Sequence, residues 1–286
     1  MLRPGLAVLL LLLAAAAGAA PRVVATVPPA AAVAAAVTDG AASLRLLLPG
    51  GQSPHGAALR PSAARALAEA DLVVWVGPTL ESGLARAVAA LPAQRVLTWT
   101  ALAGVRLRGG EAGPQGVDPH LWLDPANAAV LAQALAERLA ALDPAAAERY
   151  RARAARFAAD LAALEGAMAR RLAPLRGRGL VVYHDALGYL TARFGLRVVA
   201  TVAPDPERLP GARHVGELRA RIARGEVACV VREPQFPPRL LARLVAGTRV
   251  PVVAVDVVGA GLRPGPEAYR RLLEGVVAGL EGCLGG

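Results

Sequence analysis

Leu180-Val181-Val182-Tyr183-His184-Asp185 is a short apolar run, rich in β-branched residues, that ends on a histidine. It lacks apolar–polar alternation, as expected of a parallel strand covered on both faces by helices. Comparable runs occur upstream at Arg22 to Val27, Leu44 to Leu48, Leu72 to Val76 and Arg95 to Thr98. Others follow at Arg197 to Thr201, Ala228 to Arg232 and Val252 to Val255. Helical stretches fill most of the gaps: Ala30 to Val37, Pro61 to Ala70, Leu80 to Ala90, Pro125 to Leu142, Gly211 to Ala223, Pro237 to Ala246 and Pro266 to Leu280. Such strand–helix repetition predicts an α/β fold.

The two sets of strands are separated by a different kind of segment. From Pro144 to Leu175 the only glycine is Gly166, and proline recurs only at Pro174. Asp143 and Pro144 make a start signal, as N-cap and first helical residue, and Pro174 with Gly177 makes the stop. A helix of about 30 residues would span roughly 45 Å. Its apolar positions are mostly alanine and do not sustain a leucine seam, so it reads as a rigid brace rather than a coiled-coil partner. The expected architecture is two α/β lobes, each a mostly parallel sheet flanked by helices, joined by one long rigid linking helix. The expected boundaries are 1–19 for a signal peptide, 20–142 for the N-terminal lobe, 143–176 for the linking helix and 177–286 for the C-terminal lobe.

Arg3, the apolar run Leu6 to Ala17 and the small residues Ala17-Gly18-Ala19 match the three parts of a secretory signal peptide. The apolar run is short for a membrane span, which needs about 20 residues. The remaining chain is expected outside the cytoplasm, with no membrane insertion. Cys229 and Cys283 are an even number of cysteines in an exported chain and read as one disulfide, with a metal-binding thiol pair as the competing account. The formal charge of +10 comes entirely from arginine, scattered over helix faces, and aromatic residues make up 3% of the chain. Without clustered base-stacking residues, a nucleic-acid partner is not expected.

The chain holds four histidines. Three stand at strand ends or turns: His55 in Ser53-Pro54-His55-Gly56, His120 in Asp118-Pro119-His120-Leu121-Trp122, and His184 directly after its strand. His120 precedes a helix expected to be capped by Asp124 with Pro125 at its first position. Asp256 follows the strand Val252 to Val255. In open parallel sheets, ligands bind beyond the carboxyl ends of the strands. Three imidazoles and one oxygen would fill a tetrahedral zinc site between the lobes. Taken singly, each residue also has a plain account. His55 and His184 could be structural, Asp256 could cap a turn before Gly259, and Asp185 could cap the helix beginning near Ala186. His214 falls within a predicted helix and reads as surface.

At these residues the chain resembles the zinc-binding members of the metal-specific solute-binding proteins of ABC transporters, the ZnuA group. The likeness covers Ser53 through Ser62, Ala70-Asp71-Leu72-Val73-Val74-Trp75-Val76-Gly77, Asp118 through Pro125, Tyr183 through Tyr189, and Cys229 through Phe236. It therefore spans nearly the whole mature chain in order. The resemblance implies one metal in the interlobe cleft, held by His55, His120 and His184. The glutamate that directly precedes the first histidine in some members is Pro54 here, which leaves Asp256 or water as fourth ligand. It also implies a disulfide between Cys229 and Cys283. The histidine-rich acidic loop of many members is missing, because Arg106 to Val117 has no histidine and one glutamate, Glu111.

Three imidazoles favour zinc over manganese or iron, which prefer more oxygen. Binding is expected to weaken below about pH 6.5, where free imidazole protonates. The expected function is periplasmic capture of Zn2+ and its delivery to the membrane permease of an ABC importer, by a monomer without catalysis. A manganese or iron binder of the same family is the alternative. A secreted zinc hydrolase, with Asp256 or Glu233 as base, is another, although no His-Glu-x-x-His helix is present.

Overall fold

The computed structural model describes residues 19–49, 51–55, 57–109, 116–236 and 238–285. Residues 1–18 of the expected signal peptide, Glu111, Gly56 and the helix start expected at Pro237 lie outside the described residues. Strands β1 (Arg22–Ala25), β2 (Ser43–Leu46), β3 (Leu72–Trp75) and β4 (Val96–Thr98) form a parallel sheet in the order β2-β1-β3-β4. A second parallel sheet repeats the arrangement as β6-β5-β7-β8, from β5 (Gly179–Val182), β6 (Arg197–Thr201), β7 (Cys229–Arg232) and β8 (Val252–Ala254).

The unalternated strand composition follows from burial on both sides. In the first sheet Val23, Ala25, Leu72 and Val74 face one apolar cluster, while Val24, Val73 and Trp75 face another. In the second, Leu180, Val182, Cys229 and Val231 face the first of those clusters, and Val181, Tyr183 and Val230 face a third. The two outer clusters are covered by α2 (Pro61–Glu69) with α3 (Ala85–Ala89), and by α7 (Ala212–Ala223) with α8 (Arg239–Leu244).

The inner cluster runs without a break from one sheet to the other. It passes through α1 (Pro28–Thr38), α4 (Pro125–Leu142), α5 (Ala147–Leu172) and α9 (Ala268–Leu284). Every residue of α1 is buried, and its alanines let α4, α5 and α9 approach closely. Two lobes that share a close-packed core resist rotation about each other, because any hinge motion opens voids.

The long helix differs from the expectation in two respects. The α-helical turns begin at Ala147, after a 3-10 turn over Pro144–Ala146, and end at Leu172, before another over Ala173–Leu175. Asp143 does not cap the helix with its side chain; its carboxylate accepts a hydrogen bond from the Tyr150 hydroxyl at 3.2 Å. The helix also carries a seam, Tyr150, Ala154, Phe157, Leu161, Leu164, Met168 and Leu172, spaced three or four residues apart. Large residues recur on one face among the alanines, and that face packs within the chain against α1, α4 and α9. Asp124 does cap α4, accepting from Ala126 N at 3.0 Å, with Pro125 at the first position.

Cys229 of β7 and Cys283 of α9 form a disulfide with a Cα–Cα distance of 5.6 Å. It ties the last helix to the second sheet.

The helix expected at Leu80 to Ala90 is shorter, a 3-10 turn over Ser82–Leu84 followed by α3. Glu81 just before it is fully buried and accepts from Val76 N at 2.7 Å and Gly77 N at 3.3 Å, beyond the end of β3. Burial pushes its carboxyl up to about 7, against the lowering effect of the Thr26 hydroxyl and those two N–H groups. A raised carboxyl favours the folded state while protonated, and that contribution is lost as pH rises from about 4.5 through 7. The metal-free protein should therefore lose up to about 3 kcal/mol of unfolding free energy over that window through Glu81, at ~1.4 kcal/mol per pKa unit. Denaturant melts of Glu81→Gln should lack this slope; parallel pH profiles for both proteins would refute the assignment.

Candidate metal centre

His55, His120 and His184 are brought together by loops from different parts of the chain. His55 lies in the segment after β2, His184 two residues beyond the end of β5, and His120 just before the turn Leu121–Leu123 that leads into α4. Their Nε2 atoms converge: His120 Nε2 is 3.2 Å from His55 Nε2 and 3.1 Å from His184 Nε2. Tetrahedral zinc, with Zn–N of about 2.0–2.1 Å, places two nitrogen ligands roughly 3.3 Å apart. The observed spacing is that of a metal triad. Among the described residues these three form the group of histidine, cysteine or carboxylate ligand atoms close enough to share one ion.

Two of the rings are oriented by buried carboxylates. His120 places Nδ1 2.8 Å from Asp118 Oδ1, and its backbone N–H donates to the same oxygen at 2.9 Å. Nδ1 therefore carries the proton and Nε2 points its lone pair into the site. His184 Nδ1 lies 2.9 Å from Glu233 Oε1, an ion-pair distance whose alignment falls short of a hydrogen bond. Asp118, His120, His184 and Glu233 are all buried. Among the described residues His55 has no such carboxylate partner. Burial, then the neighbouring His120 and His184, push its imidazole down to about 2.

The His120 loop belongs to the first half of the chain but is fastened to the second. Tyr189 of α6 (Gly188–Phe194) accepts from Arg108 N at 3.0 Å and donates to the carbonyl of Asp118 at 2.9 Å. Burial pushes that phenol up to about 12, so the donating proton is retained. Trp122 Nε1 donates to the carbonyl of Val257 at 2.8 Å. Arg108 completes the arrangement with a 3.0 Å ion pair to Asp118, and Gly188 leaves it room, since a Cβ there would overlap the guanidinium. Replacing Asp118 by asparagine removes the acceptor charge behind His120. It should weaken metal binding by about 10–100-fold with little change in stoichiometry. Competition with a chromophoric chelator measures this, and an unchanged affinity would contradict the role.

Asp256 stands apart from the three rings. It is not part of the converging group; Oδ1 accepts from Val258 N at 3.1 Å and Gly259 N at 2.8 Å, and Oδ2 from Ala260 N at 2.7 Å. Those three N–H donors fold the turn after β8. Asp185 does not cap α6 either, since that helix starts at Gly188 after Leu187. His214 lies on α7, half-exposed, with Nε2 2.8 Å from the carbonyl of Thr201.

Sequence reasoning placed Asp118 within a motif and Glu233 only as a possible base, and missed both as partners of histidines. Pro54, Phe236, Val257 and Val258 form the apolar part of the wall, beside the three rings and the polar Ser53, Glu233 and Gln235. The space between them is about 10 Å³, room for one small ion or water.

A family model described as zinc-uptake complex component A, periplasmic (ZnuA), matches residues 23–283. The high-affinity zinc uptake system protein ZnuA of Paracoccus denitrificans is 34% identical over 275 residues, with 84% of each chain covered. The protein of the same name from Yersinia pestis is 31% identical over 272 residues, with 86% of each covered. Two solved structures share the fold. A mutant laminin-binding adhesin of Streptococcus agalactiae has a TM-score of 0.80 at 23% identity, covering 92% of this chain and 99% of its own. The periplasmic zinc-binding protein TroA of Treponema pallidum has a TM-score of 0.75 at 24% identity, covering 91% and 99%. With its three-histidine centre between two parallel sheets, the chain belongs to the ZnuA family of periplasmic zinc-uptake components.

Proposed function

We propose that His55, His120 and His184 ligate a single Zn2+ through Nε2, and that the chain surrenders this ion to the permease of an ABC importer. Zinc is the cargo. The observation that carries the reading is the convergence of three Nε2 atoms at 3.1–3.2 Å, two of them backed by buried carboxylates. Three imidazoles rank zinc above manganese and iron. The small space of about 10 Å³ between the three rings suits capture of a single ion.

The reading extends to processing and delivery. Residues 1–19 act as the signal peptide, 20–142 and 177–286 as the lobes and 143–176 as the brace. The mature protein works as a monomer that docks on the permease around the cleft mouth. Among the described residues, no helix is long and apolar enough to cross a membrane. The shared inner core opposes a wide hinge. Release therefore starts at His55, whose ring lacks the carboxylate that orients each of the other two. Titration of the metal-free protein tests the whole reading. One zinc per chain, bound in preference to manganese and without hydrolytic turnover, is the expected result. Preference for manganese, or no stoichiometric binding, would overturn it.

A further inference from the structure

We infer that a groove around the edge strand β4 binds a single-chain amphiphile, its apolar tail along the groove and its anionic head on Arg138. The groove has a volume of about 590 Å³, within the roughly 300–1,000 Å³ of small-molecule sites. Its lining comes from β3, α3, β4, the turn after β4 and α4, and shares no residue with the metal site. The groove follows from the short cover on this flank. β4 is three residues long at the edge of the first sheet, and α3 beside it has five residues where the sequence predicts a helix from Leu80 to Ala90. Leu91, Val96 and Leu102 remain only half-buried there.

The lining sets the chemistry of the occupant. Trp75, Val88 and Leu97, with the three half-buried residues, supply an apolar surface. Trp75 Nε1 donates to Thr98 Oγ1 at 2.8 Å, so the indole asks nothing polar of a ligand. Arg138 is the one charged residue among those that line the groove, and it is half-buried. Its Nη1 donates to the carbonyl of Gln94 at 2.5 Å, and among the described residues no carboxylate pairs with it. The adjacent Glu137 is already held by Arg151, at 2.8 and 2.9 Å. A guanidinium with free N–H groups in an apolar groove fits one anionic head in a forked pair. An uncharged chain would leave that guanidinium unpartnered, and a cation would be repelled. Three residues offer too few backbone hydrogen bonds for a peptide strand added at β4 to be the occupant.

The test titrates decanoate, below its micelle-forming concentration, into the zinc-loaded protein. One decanoate per chain is expected, with hexanoate weaker by about a hundredfold or more, since each buried methylene is worth about fourfold. Arg138→Gln should weaken decanoate about tenfold and leave decanamide, the neutral analogue, unchanged. Terminally brominated decanoate should quench the emission of Trp75, and Trp75→Phe should lose that quenching, because Trp99 and Trp122 are fully buried in the inner cluster. Ala89→Trp fills the groove from an exposed position on its wall, and should abolish binding without lowering the melting temperature. No saturable binding, decanamide bound as tightly as decanoate, or full decanoate affinity in Arg138→Gln would overturn the inference. So would a dimer in sedimentation that Ala89→Trp disperses and decanoate does not, since a second copy of the chain would then cover the groove.

Discussion

Replacing His184 by alanine should lower zinc affinity by about a hundredfold or more. Structural zinc sites bind with roughly 10–16 kcal/mol shared over four ligands, so one imidazole accounts for about 3 kcal/mol. At 1.4 kcal/mol per tenfold, that is more than two orders of magnitude. The substitution has a second cost. Glu233, 2% exposed and 2.9 Å from the lost ring, is left as a buried carboxylate without its partner. His214→Ala is the matching control, because His214 bonds to the carbonyl of Thr201 on another face of the lobe, and it should leave affinity unchanged. Isothermal titration of both variants against the wild type decides the matter. Equal losses in the two would mean that the effect is not coordination.

Removing the disulfide should act on stability and spare the site. Replacing Cys229 and Cys283 together by alanine opens a loop of 54 residues, worth about 4 kcal/mol in the chain-entropy account. In a protein of this size each kcal/mol shifts the melting temperature by roughly 2–4 °C, so a fall of about 10 °C is expected in the metal-free protein. Both cysteines are buried, and the small voids left by alanine add to the loss. Zinc stoichiometry should stay at one per chain, because β7 remains paired with β5 and β8 and carries Glu233 to the same place. An unchanged melting temperature, or loss of zinc binding in a variant that remains folded, would contradict this division of labour.

Much of the fold was legible because its signals are local. Unalternated apolar runs such as Leu180 to Val182 mark doubly covered strands, and Asp124 with Pro125 marks a helix start. The three histidines stood out for the same reason, each at a strand end or turn. What the sequence hid depends on registry between distant segments. Glu233 meets His184 only because β5 and β7 are neighbours, with Val182 beside Val231. Asp118 reads as a motif residue until Tyr189, from the far half of the chain, fastens its loop. Asp256 shows the converse. Its place after a strand was legible, but not that its carboxylate accepts three N–H groups of its own turn. The seam of α5 was masked by interleaved alanines, although Phe157, Leu161, Leu164 and Met168 already keep helical spacing.

The most direct measurement is X-ray absorption at the zinc edge of the loaded protein, since it counts and identifies the atoms around the ion. Three imidazole nitrogens and one oxygen, at about 2.0–2.2 Å, are expected. A sulfur ligand, or fewer than three imidazoles in the shell, would contradict the proposal that His55, His120 and His184 hold the cargo.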